Sequence, residues 1–293
     1  MTRDRTQAPP ETDAQRLLAG MRRPVIVASH RRSGTHLTID LIRKQFPVFS
    51  PKLRPLESIH HLYVSLDTLR PGHHNPMTPE RVAGMLTRPN HRPVVKTHAE
   101  PSLDEFGDRA PFAREILERA DVLYIVRDGR KVLASQHLYE YEFNADARSC
   151  FTDFIRSDFN SMPRPAYWVR HINHWRSRPS VHVFRYEDIV KKTEATIERL
   201  AGIFGETPVH AQPLLPKRTP AGIAHRVNRL LGRTESTTIP GRPRPGVEPQ
   251  PWDRVFSADD RTYFDAHAGN VLVELGYEPD HAWAKPSHGG ASA

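Results

Sequence analysis

The 293-residue chain holds a single cysteine, Cys150, so no disulfide can form within it. No apolar run approaches the roughly 18 residues that span a bilayer. The first 20 residues lack the apolar stretch of a secretory signal. Together these absences lead us to expect a reducing, cytoplasmic setting without stable membrane insertion. The chain also lacks a lysine block and any basic run interleaved with aromatics. Its formal net charge of +8 is therefore not read as a nucleic-acid surface. It is either an inconsequential basic surface or a preference for a substrate with several negative charges. Metal-ligand spacing is missing too. His60–His61 and His73–His74 are adjacent pairs rather than pairs four apart, so no metal is expected.

The chain does have a regular alternation of strand-like and helix-like segments. "PVIVAS", "PVVKTH", "DVLYIVRD" and "VHVFRYED" read as strands. "THLTIDLIRKQF", "PFAREILERA", "GRKVLASQHLYEYEF", "YWVRHINHWRS" and "TEATIERLAGIFG" read as helices, the last stopped by Gly205. This rhythm predicts an α/β fold with a P-loop-like, mainly parallel central sheet flanked by helices. A single domain is expected over residues 21–284, with loosely attached tails at 1–20 and 285–293. Two proline-rich stretches, 50–92 and 207–251, break the rhythm. Such irregular segments inside a compact domain often form lids or binding walls.

One loop carries the strongest chemical signal. "SHRRSGTH", residues 29–36, joins the first strand to the first long helix. Backbone N–H groups exposed at a helix N-terminus, with the helix dipole behind them, favour an anion. Gly34 permits close backbone approach. Ser33, Thr35 and His36 add side-chain donors, and Arg32 offers a fork that suits phosphate or sulfate oxygens. The plainer reading is a polar turn with a chance arginine pair. The loop is not the G-x-x-x-x-G-K-[ST] pattern: the first glycine is missing, and Thr35 stands where the lysine belongs. That disfavours mononucleotide kinases.

With four further segments in order, the sequence resembles the sulfotransferases that use 3′-phosphoadenosine 5′-phosphosulfate (PAPS). "HRRSGTHL" is similar to the family's "YPKSGTTW" run, which grips the 5′-phosphosulfate, with Arg32 in place of the usual lysine. "RPVVKTHAEP" is similar to the "KTH" segment. The resemblance implies that His98 is the general base and Lys96 a supporting cation. "YIVRDGRKVLAS" resembles the 3′-phosphate strand and helix, which implies that Arg127 and Ser135 hold that phosphate. "FRYED" resembles "YEDL" and places Tyr186 on the adenine side. "RPRPGVEPQPW" resembles a late loop that closes on the 3′-phosphate, through Arg244, Gly246 and Trp252. Pro245 stands where that loop has lysine. The implied reaction moves a sulfuryl group to a hydroxyl of a small-molecule, lipid or sugar acceptor, with PAPS as co-substrate and no metal.

The residues alone leave alternatives. His98 is one of 17 histidines, most of which must be surface or structural. Arg127 could simply pair with Asp128. A kinase-like protein would use Asp128 to hold magnesium, and a non-catalytic nucleotide-binding module would need no base. Tyr139, Tyr141, Phe143 and Trp168 suit an aromatic pocket or a core equally well.

Overall fold

The computed structural model describes residues 12–51, 61–216, 236–237 and 243–285. In chain order the strands are β1 (Val25–Ser29), β2 (Val64–Ser65), β3 (Val94–Thr97), β4 (Asp121–Val126), β5 (Asp158–Phe159), β6 (Met162–Pro163) and β7 (Val181–Arg185). The helices are α1 (Asp13–Leu17), α2 (Thr35–Gln45), α3 (Pro79–Leu86), α4 (Ala110–Glu118), α5 (Gly129–Tyr139), α6 (Phe151–Arg156), α7 (Arg164–Arg176), α8 (Tyr186–Lys191), α9 (Thr193–Phe204), α10 (Trp252–Val255) and α11 (Ala258–Glu274).

Five strands form one sheet in the order β2-β3-β1-β4-β7, and every neighbouring pair is parallel. β5 and β6 make a small antiparallel ribbon apart from it. Every residue of β1 and β4 is buried, so both faces of the sheet need cover. Successive side chains diverge to opposite faces. Ile26, Ala28, Val122, Tyr124 and Val126 pack with α4, α5, α7 and α11. Val25, Val27, Leu123 and Ile125 pack with Ile39 and Ile42 of α2 and with Ile197 and Leu200 of α9. The result is three layers, helix–sheet–helix. Because all five strands run the same way, the loops after β1, β3, β4 and β7 leave one edge of the sheet together. In open α/β sheets that edge is where ligands bind.

Three regions differ from expectation. Within the expected N-terminal tail, α1 is closed by a Thr12–Gln15 capping box, and Leu18 behind it is fully buried. The irregular 50–92 stretch supplies the edge strand β2 and the helix α3, which Thr78 caps and Pro79 opens. Among the described residues the longest helix, α11, begins at a Ser257–Asp260 capping box. His267, Gly269 and Asn270 break up its apolar stripe in the sequence, yet Phe264, Ala268 and Leu272 are buried. The remaining tail residues, 1–11 and 286–293, lie outside the described residues, as do His60 and the first residue of the 242–252 loop.

Candidate active site

The loop after β1 curls tightly. Arg32 has φ 65° and Gly34 has φ 98°, both left-handed. Turns that mix left- and right-handed residues gather backbone N–H groups into an anion-binding concavity. Gly34 is also the N-cap of α2. A Cβ there would stand 2.7 Å from Tyr186 Cε2, so only glycine lets the Tyr186 ring at the start of α8 lie against the loop. Ser29 Oγ and Thr35 Oγ1, 2.6 Å apart, brace the loop from inside. Ser33 Oγ is buried with no hydrogen-bond partner in the protein. A buried orphan hydroxyl is costly to leave unmade, and a ligand oxygen is the natural partner here.

Arg127 leaves the end of β4 and reaches the same loop. Its Nη1 donates to the Arg32 carbonyl at 2.8 Å, and the guanidinium lies over the Tyr186 ring at 4.6 Å. Its Nε is buried without a partner. Arg32 Nε in turn donates to Ser135 Oγ on α5 at 3.0 Å, and its guanidinium covers the Tyr139 ring. Arg127, Arg32 and Ser135 thus form one cluster. Asp128 does not pair with Arg127. It caps α5 and binds Arg130 through Nε at 3.0 Å and Nη2 at 2.9 Å. That fully engaged carboxylate is poorly placed to hold magnesium. Arg130 lies against the rings of both Trp252 and Trp283, at 4.0 and 4.5 Å.

Lys96 of β3 approaches from the other side of β1. Its Nζ lies 3.4 Å from His36 Nε2. His36 Nδ1 lies 3.0 Å from Thr237 Oγ1, which donates to Asp40 Oδ1 at 2.7 Å. This chain pins residues 236–237 to α2. Burial, reinforced by the charges of Lys96 and Arg32, takes His36 down to about 3. Burial also lowers Lys96, with Asp67 opposing.

His98 follows β3. Its Nδ1 lies 2.8 Å from the Ser29 carbonyl oxygen. A carbonyl can only accept, so Nδ1 carries the hydrogen and Nε2 keeps its lone pair. The backbone around it is clamped on both sides. Asp67 accepts from the His98 N–H at 3.1 and 3.2 Å and from Thr97 Oγ1 at 2.8 Å. The His98 carbonyl accepts from His171 Nε2 at 3.2 Å, and Tyr124 OH lies 2.8 Å from His171 Nδ1. Burial, with the Lys96 charge next, pushes His98 well below the ordinary 6.5, so it is the neutral base at pH 7. Asp67 and His171 escaped the sequence reading because neither belongs to a motif: "SLDTL" and "RHINHW" look like ordinary core segments, and Tyr124, at the head of "YIVRDGRKVLAS", reads there only as a strand residue.

The structure thus brings Arg32, Ser33, Gly34, Thr35, His36, Lys96, His98, Arg127, Ser135 and Tyr186 to one edge of the sheet. The late loop stands differently. Arg244 is held at the C-terminal end of α5, its amide on the Leu138 carbonyl and its guanidinium on the carbonyls of Arg148 and Ser149 at 3.1 and 3.2 Å. Gly246, with φ 73°, is exposed and faces open space. Trp252 packs on Arg130. Of the aromatic candidates, Trp168 is core and Phe143 is exposed.

A ligand with anionic oxygens fits this donor set, since the buried orphan donors Ser33 Oγ and Arg127 Nε call for acceptors. Among the described residues no helix is long and apolar enough to cross a membrane. No curated protein matches the chain. Among solved structures it is similar in fold to retinol dehydratase, solved with androsterone and inactive cofactor PAP and also with retinol and PAP. Each overlays with TM-score 0.51 and 21% identity, covering 89% of this chain and 84% of that one. A mouse sulfotransferase complexed with PAP overlays with TM-score 0.48 and 14% identity over 88% of this chain and 86% of its own. The sulfotransferase domain matches residues 22–214. That span contains the loop after β1, Lys96, His98, Arg127, Ser135 and Tyr186, and the chain belongs to the sulfotransferase domain family.

Proposed function

We propose that this sulfotransferase carries a sulfuryl group from PAPS to an acceptor hydroxyl, with His98 as the general base. The observation that carries this reading is the His98 tautomer: Nδ1 is committed to the Ser29 carbonyl, so the free lone pair is on Nε2. The acceptor oxygen attacks sulfur and its proton passes to Nε2. The bond from sulfur to the bridging oxygen breaks, and adenosine 3′,5′-bisphosphate (PAP) leaves with that electron pair. Such a transfer relies on positioning and electrostatics rather than on protein nucleophiles. Ser33, Gly34, Thr35 and His36 bind the 5′ end. Arg32 and Lys96 supply positive charge for the leaving oxygen. Arg127 and Ser135 hold the 3′-phosphate, and Tyr186 lies on the adenine side. For Arg244 and Gly246 to join the 3′-phosphate, Arg244 must exchange the carbonyls of 148 and 149 for phosphate oxygens.

Incubation with radiolabelled PAPS and a library of phenols, sterols, sugars and glycolipids tests the reaction. With any acceptor found, His98→Asn is expected to cut kcat by about 10²-fold or more while PAP affinity stays within a few-fold. Near-normal turnover of that variant would remove His98 from the mechanism.

A further inference from the structure

The pocket beside His98 carries charge that donor binding leaves unexplained. It is lined by His30, Arg31, Arg70, His98, Gln136 and Tyr167, and completed by Phe159 and Asn160. Among the described residues no carboxylate lines it. The acids around it have other partners. Glu105 pairs with Arg70, Glu100 with Arg170 and His174, Asp146 with Arg164, and Asp67 with the His98 amide. Arg31 is half-buried. Among the described residues its guanidinium has no hydrogen bond or ion pair. A guanidinium cannot shed its proton, and partial desolvation of an unpaired charge is costly unless something supplies the countercharge. Gln136 offers an acceptor beside that charge, one that calls for a ligand N–H or O–H rather than for the anion itself. Its side chain is 4% exposed, it lines the same pocket, and its Oε1 is buried without a partner. Tyr167 and Phe159, with ring centroids 4.7 Å apart, add an aromatic wall.

Resting on the sulfotransferase reading, we propose that the acceptor is itself an anion. It is a ring-bearing hydroxyl compound whose carboxylate, sulfate or phosphate pairs with Arg31. The cavity is about 40 Å³ as it stands, so the ring takes its place against Tyr167 and Phe159 only as side chains at the mouth give way, the hydroxyl then facing His98. A greasy sterol or a neutral phenol would leave Arg31 without a countercharge.

The test uses the full chain and four probes that share one phenol scaffold: 4-hydroxyphenylacetate, 4-hydroxybenzenesulfonate, 4-hydroxyphenyl phosphate and the neutral 4-hydroxyphenylacetamide. Binding is followed by saturation-transfer NMR and calorimetry, with and without saturating PAP. At least one anion is expected to bind about tenfold or more tighter than the amide, as one charge-assisted bond allows. Which anion leads identifies the group. In Arg31→Met the preference should collapse to about threefold or less, with Arg31→Lys between, while PAP affinity moves by no more than about threefold. The proposal is overturned if the amide binds as well as every anion, if no anion binds at millimolar concentration, or if the preference survives Arg31→Met. It is equally overturned if Arg31→Met weakens PAP and leaves the probe ratios alone, since Arg31 then serves the donor. Failure of PAP itself to bind is read separately, from the PAP titration, and counts against the donor reading.

Discussion

His98 can take a proton at Nε2 because Nδ1 is already spent on the Ser29 carbonyl, and it can do so over a wide pH range because it is half-buried beside Lys96. An ordinary imidazole would be half protonated near pH 6.5, and a base of that kind loses half its activity there. The folded value of His98 is lower, so the active neutral form persists as pH falls through 6.5. With any confirmed acceptor, kcat is expected to stay flat from pH 8 to below 6.5 and to decline only in more acid solution. A half-point at 6.5 would mean that His98 is solvated like a free imidazole, or that another group limits the rate. The same scale separates two arginines that the sequence presents as one "RDGR" motif. Arg127 keeps a buried Nε unpartnered, whereas Arg130 is consumed by Asp128, Glu278 and two tryptophans.

At the scale of elements, the sheet was readable because its strands are short, continuous and apolar, and the helices between them carry a clear stripe. β1, β3, β4 and β7 fall inside the segments "PVIVAS", "PVVKTH", "DVLYIVRD" and "VHVFRYED". β2 was not readable. Two residues of edge strand leave no periodicity, and they pair only because β3 offers Val95 and Lys96 as partners. α11 was missed because tertiary contacts, rather than its own pattern, decide its burial. Legibility of the site followed the same division. Residues in the strand-end motifs stood out, while Asp67, Gln136 and His171 acquire meaning only when the chain folds them against His98 or its pocket. One contact shows how closely the elements fit. Gly129 opens α5, and a Cβ there would meet Phe264 Cζ and Trp168 at 2.8 Å. Both rings are fully buried, so they have no room to yield. Gly129→Ala is expected to destabilise the fold by about 1–3 kcal/mol, the usual cost of overpacking, measured by denaturant midpoint. An unchanged midpoint would show that α5, α7 and α11 pack more loosely than these distances imply.

For the whole molecule, burial of neutral histidines ties stability to pH. Burial takes His30 down to about 4 and His36 and His171 to about 3, and it pushes His98 well below 6.5. Between those values and 6.5 the unfolded chain binds more protons than the folded one, so stability rises with pH across that window. The contribution is complete above the unfolded value near 6.5 and is lost as pH falls toward 4. Tm is therefore expected to be level above pH 7 and to drop steadily from 6.5 to 4. His30→Gln and His171→Gln should each make that drop shallower if they fold. A Tm that is flat down to pH 4 would contradict the burial of these rings as neutral groups.

The same site can be tested without knowing the acceptor. If Arg127 and Ser135 receive a 3′-phosphate, PAP must bind far better than adenosine 5′-monophosphate, which lacks only that group. One charge-assisted hydrogen bond, worth roughly 1.5–3 kcal/mol, gives about tenfold or more. Calorimetry of both nucleotides in the presence of a chelator, on the native chain and on Arg127→Ala, measures this directly. The expected result is a preference for PAP of at least about tenfold that needs no metal and largely vanishes in the variant. Equal affinity for the two nucleotides, or tight ATP binding that requires magnesium, would contradict the PAPS-dependent reading of this site.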